Sequence, residues 1–132
     1  MTAEREQFEK LTHAICERRG WKCDGQKIDL DLDDGRHQEV HLDFFEYDGR
    51  EMVRIYSLIG PTKRIKLERL VFALEMSFRM PYGSMAVHDE TLVVVDTYLV
   101  ADADTEEIES AIAYMAETAD QYEKSMFGPD AY

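Results

Sequence analysis

Several things that announce an enzyme, a membrane protein or a disulfide scaffold are missing from this sequence. Its 132 residues include two cysteines, three prolines and one tryptophan, and positive charge is scarce: 15 Lys and Arg stand against 28 Asp and Glu, for a formal net charge of -13. Cys16 and Cys23 make no CxxC pair and have no second pair to complete a zinc site, so they read as free, reduced thiols and no metal is expected. Nowhere do about eighteen apolar residues follow one another, which removes a transmembrane helix. Met1 to Lys10 is charged and acidic where a secretory signal needs a basic start and an apolar run, so a cytoplasmic location is expected. The acidic balance repels phosphate backbones and anionic bilayers, which argues against nucleic acid and membrane partners. No glycine-rich phosphate loop follows a strand, and neither GxSxG nor HExxH occurs.

What is present is enough for one core. Hydrophobic residues make up 45% of the chain and aromatics 11%, well above the level of disordered chains, and the length suits a single domain over residues 1–132 with a short loose tail, Gly128 to Tyr132. Ala3 to Arg19 carries Phe8, Leu11, Ala14 and Ile15 at helical spacing, with acids early, arginines late and Gly20 as a stop. The period then changes to two. Ile28, Leu30 and Leu32 alternate with aspartates, Val40, Leu42 and Phe44 alternate with Glu39, His41 and Asp43, and a third strand runs from Arg50 to Ile59 before Gly60-Pro61.

The turns fix the register. A three-residue loop, Asp33-Asp34-Gly35 with the glycine left-handed, pairs Ile28 with Val40 and Asp31 with His37, whereas a two-residue loop would mix apolar and polar residues on each face. The Asp48-Gly49 turn pairs Phe44 with Val53, Leu42 with Ile55 and Asp43 with Arg54. Leu67, Leu70, Val71, Leu74 and Phe78 then form the apolar stripe of a second helix closed by Pro81 and Gly83. Met85 to Val100 reads as a hairpin turning near Asp89-Glu90, with Val93, Val94 and Val95 marking a strand covered on both faces at the sheet centre. Asp104 caps a last, longest helix with Glu107 at the capping-box position, and Ile108, Ile112, Met115, Ala119, Tyr122 and Met126 form its seam. The fold class is α+β, in the order α-β-β-β-α-β-β-α, with one antiparallel five-stranded sheet packed by helices.

Reactive constellations are weak. His37, Glu39, His41 and Asp43 share one strand face beside Asp29 and Asp31, but ligands at i, i+2 and i+4 on a strand span about 13 Å, and a solvated face with Asp-His and Asp-Arg cross-strand pairs accounts for them. His13 lies one helical turn before Cys16, yet a thiol on a half-buried helix behaves as a small hydrophobe. No catalytic, cofactor-binding or metal-binding residue is assigned, and no enzyme is expected. The sheet is more informative: Phe45, Tyr47, Met52, Tyr56 and Leu58 point away from the side carrying Leu42, Phe44, Val53 and Ile55, so apolar residues occupy both faces. Either the first or last helix folds over them, or a subunit or peptide does. Helix two poses the same choice, between packing on the sheet alone and a dimer contact widened by Phe72, Met76 and Arg79.

This layout resembles the type III secretion chaperone-like fold, including the Tir-chaperone and YbjN-like groups. The resemblance covers nearly the whole chain and is carried by the pattern from Leu67 to Met126: a helix ending in Met80-Pro81-Tyr82-Gly83, the strand start Ser84-Met85-Ala86-Val87, an acidic turn, Leu92-Val93-Val94-Val95, and Asp104-Thr105-Glu106-Glu107-Ile108 opening the last helix. It implies a homodimer built through the middle helix, here the Leu67, Leu70, Val71, Leu74 and Phe78 face. It also implies a client segment wrapped in extended form over apolar patches, here Phe45, Tyr47, Met52, Tyr56 and Leu58. The implied partner is another polypeptide held without turnover; the YbjN-like alternative is a regulatory or scaffolding domain that binds a folded protein.

Overall fold

The computed structural model describes residues 2–127, so the expected loose tail at 128–132 lies outside the described residues. The elements are α1 (Ala3–Arg19), β1 (Lys22–Asp24), β2 (Lys27–Asp31), β3 (His37–Tyr47), β4 (Arg50–Pro61), α2 (Leu67–Ser77), β5 (Ser84–His88), β6 (Thr91–Leu99) and α3 (Thr105–Phe127). Helix α1 begins at Thr2, whose hydroxyl oxygen accepts from the Arg5 N–H at 3.1 Å, and ends at Gly20, left-handed at φ 75°, where the Trp21 N–H reaches the Cys16 carbonyl at 3.0 Å. Its buried residues are Phe8, Thr12, Ile15 and Cys16, while Ala14 is exposed. Thr12 is tolerated inside because its hydroxyl donates to the Phe8 carbonyl at 2.9 Å.

The sheet is antiparallel throughout, in the order β1-β2-β3-β4-β6-β5, and has six strands rather than the expected five. The additional strand, β1, pairs Lys22 with Asp29 and Asp24 with Lys27; three residues are too few to show a period of two. The meander registers are the expected ones, with Ile28 opposite Val40, Asp31 opposite His37, Phe44 opposite Val53 and Asp43 opposite Arg54. Asp48 and Gly49, at φ 54° and 73°, make the tight second turn, and Asp89 and Glu90 at φ 49° and 59° make the same kind of turn without a glycine. Strand β6 is paired on both sides but lies next to the edge strand β5, so the sheet centre is β3 and β4 instead.

Helices α1 and α3 cover one face of this sheet. Phe8 and Ile15 of α1, and Ile108, Ile112, Met115 and Ala119 of α3, join Ile28, Val40, Val53, Ile55 and Val94 in one buried cluster. The Asp104 carboxylate caps α3 by accepting from the Glu107 N–H at 2.8 Å. Two clamps fix α3 to its neighbours. Glu109 takes Arg18 and Arg19 at 2.5 and 2.6 Å, and their hydrogen bonds hold its carboxyl down at about 2. Arg36, in the β2–β3 loop, reaches the buried Asp120 at 2.6 Å and Glu123 at 2.7 Å.

Strand β4 shifts register between Leu58 and Gly60, a bulge that turns Ile59 into the core. The buried Gln38 amide donates to the Leu58 carbonyl at 2.5 Å, satisfying an acceptor at the irregularity, and the Ser57 hydroxyl donates to the Glu39 carbonyl at 2.6 Å. A Cβ at Gly60 would stand 2.2 Å from the Phe127 ring, which packs the end of α3 onto the strand, so the ring would have to shift to admit it. Among the described residues no helix is long and apolar enough to cross a membrane.

Gly60→Ala should therefore lower stability by about 1–3 kcal/mol through overpacking. The same change in a Phe127→Ala background should cost much less, a non-additivity that denaturant midpoints of the two single variants and the double variant will measure.

Candidate functional site

Among the described residues no helix covers the outer face of the sheet. Along β3 and β4 it presents Phe45 opposite Met52, then Asp43 opposite Arg54, then His41 opposite Tyr56. Along β4 and β6 it continues with Tyr56 opposite Val95 and Leu58 opposite Val93, and Val93 faces Ala86 of β5. The five residues singled out from sequence thus fall into two groups. Phe45, Met52 and the 70% exposed Tyr47 lie at one end. Tyr56 and Leu58 lie beyond the Asp43–Arg54 ion pair, whose Arg54 Nη1 is 2.9 Å from Asp43 Oδ2 and whose guanidinium carbon sits 3.8 Å above the Phe45 ring.

The Tyr56 group is the larger surface, because Val93, Val95 and Ala86 complete it. Val93 is buried between its cross-strand neighbours yet stands apart from the main core cluster, so it belongs to a second, one-sided apolar layer. Its sequence signal was the three-valine run at 93–95, which could be recognised as two-sided but not assigned to neighbours without the strand order. A shallow cavity of about 470 Å³ lies over this layer, lined by Arg54, Tyr56, Ala86, Val93, Val95 and Thr97 among others. His41 stacks on Tyr56 with ring centroids 5.1 Å apart, and His88 meets the same ring edge-on at 5.8 Å. Burial pushes the Tyr56 hydroxyl up, with Asp43 and Asp89 adding to the shift.

Helix α2 is placed differently from the other two. Its only buried residue is Ala73, the Ser77 hydroxyl accepts from the Met85 N–H at 2.8 Å, and Arg69 donates to the Ser125 carbonyl at 2.9 Å near the end of α3. Leu70 is half-buried. Leu67, Val71, Leu74 and Phe78 follow at i, i+4, i+7 and i+11, a single helical row, and they are 74%, 46%, 46% and 92% exposed. Phe72 extends the exposed surface to one side.

The reactive constellations dissolve on inspection of the geometry. His13 is exposed whereas Cys16 is buried, and burial beside Cys23 pushes the Cys16 thiol up to about 12, which leaves no thiolate for nucleophilic work. On the His37, Glu39, His41 and Asp43 face, Lys27 intervenes, with its ammonium 3.2 Å from Glu39. Among the described residues no group of three or more His, Cys, Asp or Glu side chains is placed to hold a metal ion.

No protein-family model matches the sequence, and no curated protein sequence matches it either. Solved structures do. A chain of the ExsC–ExsE complex superposes with a TM-score of 0.65 at 12% identity, covering 96% of this chain and 97% of that one. A chain of the HopA1–SchA chaperone–effector complex gives 0.61 at 11% identity over 94% and 99%. A chain of the complex between the Yersinia pestis type III secretion chaperone SycH and a stable fragment of YscM2 gives 0.56 at 13% over 87% and 98%. The chain has the type III secretion chaperone-like fold.

Within that chaperone-like fold, His41 is a built-in reporter of the outer face. Its Nε2 has no hydrogen-bond partner, the nearest Glu39 oxygen being 3.8 Å away, and burial lowers its pKa against the weaker opposing effects of Glu39 and Asp29. A base that is harder to protonate when folded takes up its proton first in the unfolded chain. Its contribution to stability should be complete above about pH 6.5, fall as pH drops through that value, and level off below the folded pKa. His41→Phe keeps a ring against Tyr56 without the titration, so its thermal midpoint should decline less than that of the parent on acidification; parallel curves would refute the assignment.

Proposed function

We propose that this chain is a non-catalytic polypeptide-binding protein that works in the cytoplasm as a homodimer of single-domain subunits and holds an extended segment of a partner in the manner of a secretion chaperone. The observation that carries the reading is the one-sided apolar layer of Tyr56, Leu58, Ala86, Val93 and Val95, in which Val93 is buried by its neighbours and Leu58 is exposed, on a sheet face that no described helix covers. Such a layer suits an extended chain, which supplies alternate side chains to shallow apolar cavities along its length. The similar solved structures support it, since their descriptions name chaperone–effector and chaperone–fragment complexes. They also favour binding over catalysis.

The α2 row supports the dimer. Full burial of a Leu, Val or Phe side chain contributes roughly 1.5–3 kcal/mol in proportion to the surface still exposed, and four such residues on one row form a self-complementary face for a twofold mate. The row faces away from the Ala73 side, so a second copy can dock without disturbing the core.

Two measurements test this. Sedimentation equilibrium should find a dimer that Val71→Glu with Leu74→Glu weakens by roughly 100-fold while circular dichroism stays unchanged; a monomeric parent removes the dimer. Capture from the native cell extract, followed by limited proteolysis, should protect one extended partner segment, and Tyr56→Asp with Leu58→Asp should abolish capture without unfolding the protein. Capture of an intact folded domain would replace this reading with the YbjN-like scaffolding one.

A further inference from the structure

On the helical side of the sheet, between β6, the turn before β5 and the first half of α3, lies a cleft of about 540 Å³. Three tyrosines line it, Tyr82, Tyr98 and Tyr114, together with the acidic residues Asp104, Glu106 and Glu107. Tyr82 and Tyr114 meet edge to face, with centroids 5.6 Å apart and planes at 85°. No Lys, Arg or His lines the cleft.

Where an acid or a ring elsewhere in the molecule does meet a cation, the chain often uses its own arginines: Glu109 takes Arg18 and Arg19, and Asp120 takes Arg36. Guanidinium carbons also sit 3.8 Å over Phe45, 4.2 Å over Phe44 and 4.6 Å over Trp21. Among the described residues Asp104, Glu106 and Glu107 have no Lys or Arg partner. The acids do serve the start of α3, where Asp104 is the cap. A helix N-terminus, however, carries the equivalent of only about half a positive charge, so three carboxylates leave the cleft negative.

We propose that this cleft is a subsite for an arginine side chain of the bound polypeptide, its guanidinium lying against the tyrosine rings and paired with Glu106 or Glu107. The chemistry fits arginine best, because a planar, weakly hydrated guanidinium both stacks on rings and offers a fork of donors to a carboxylate. The proposal rests on the polypeptide-binding reading, and the sheet provides the route. The last pairing of β5 with β6 is Ser84 with Val95, so residues 96–99 of β6 have no β5 partner. There Thr97 lines the outer cavity and Tyr98, the next residue, lines this cleft. An extended segment passing over β6 beyond the Gly83 turn would come within reach of both.

The test uses the intact protein with tyrosine ring carbons labelled, titrated with N-acetyl-arginine methylamide and, in parallel, with the uncharged citrulline analogue. Saturable shifts at Tyr82, Tyr98 and Tyr114 are expected from the arginine probe, with the citrulline probe weaker by about ten-fold or more. Glu106→Gln with Glu107→Gln, conservative at exposed positions, should weaken the arginine probe by about five-fold or more, and Tyr82→Ala, in an exposed turn, should do likewise. Equal responses to the two probes, variants that bind as the parent does, or shifts that do not saturate overturn the subsite. Because the probe is a single capped residue, its failure leaves polypeptide capture standing, whereas a protein that binds the probe but captures no polypeptide loses the larger reading alone.

Discussion

Two helices pack against the same face of one sheet, and each other feature of the molecule follows from which surfaces they leave bare. Helix α3 brings its row of Ile108, Ile112, Met115 and Ala119 down on β3 and β4, and α1 fills the space beside it with Phe8 and Ile15. Once that face is sealed, a single α-helix is left among the described residues, and α2 is held at the β5 side by Ala73, the half-buried Leu70, one serine hydroxyl and one arginine. The apolar residues of the outer face, Tyr56, Leu58, Val93 and Val95, must rely on each other and on the flanking histidine rings. A sheet with apolar residues on both sides and helices on one is an incomplete layer structure, and burial of the remaining surface is a gain open to a partner.

Charge makes this incompleteness tolerable. With 28 acidic and 15 basic residues, copies of the protein repel one another at a distance, which opposes unselective contact between uncovered patches. Many of the few arginines have internal duties: Arg18 and Arg19 hold α3, Arg36 ties the β2–β3 loop to the same helix, and Arg5, Arg19 and Arg54 lie over rings. These arginines are committed to clamps and rings, and most of the acids have no Lys or Arg partner among the described residues.

The legible parts of the fold were those written in turn chemistry and long periods. Asp48-Gly49 and Asp33-Asp34-Gly35 admit few hairpin geometries, and the demand for one apolar face then selects the register, so cross-strand partners as specific as Asp43 and Arg54 could be named from sequence. Helix α3 was equally readable, because its capping residue and its seam agree. What escaped was local or tertiary. Strand β1 is shorter than the period that would reveal it. Thr12 and Gln38 are polar and buried, each justified by one hydrogen bond to a carbonyl that sequence does not locate. The outer layer was half found, since Phe45, Met52, Tyr56 and Leu58 are on strands with an evident register, while Val93, Val95 and Ala86 join them only through the β4–β6 pairing. The tyrosine cleft had no signal at all, its three rings coming from a turn, a strand and a helix.

The orientation of α2 carries the remaining step. An apolar stripe on a short helix normally marks the side that meets the core, and in this chain the stripe and the core-facing side are different: Ala73 is buried while Leu67, Val71, Leu74 and Phe78 look outward. A small residue at the internal contact lets the helix sit close to β5, and a hydroxyl bond to the Met85 backbone and the half-buried Leu70 fix its position without using the Leu67, Val71, Leu74 and Phe78 row. The helix is therefore already ordered before anything touches the row. Association that begins from an ordered face avoids much of the side-chain and backbone ordering cost that weakens interfaces of equal area, and it leaves the core packing unchanged. The same economy applies to the outer sheet face, whose backbone is fixed by pairing on both sides of β4 and by the bulge at Leu58 and Gly60. Rigid surfaces that expose apolar rows suit the binding role proposed for this chain, since a partner can bury them without a prior rearrangement of the core.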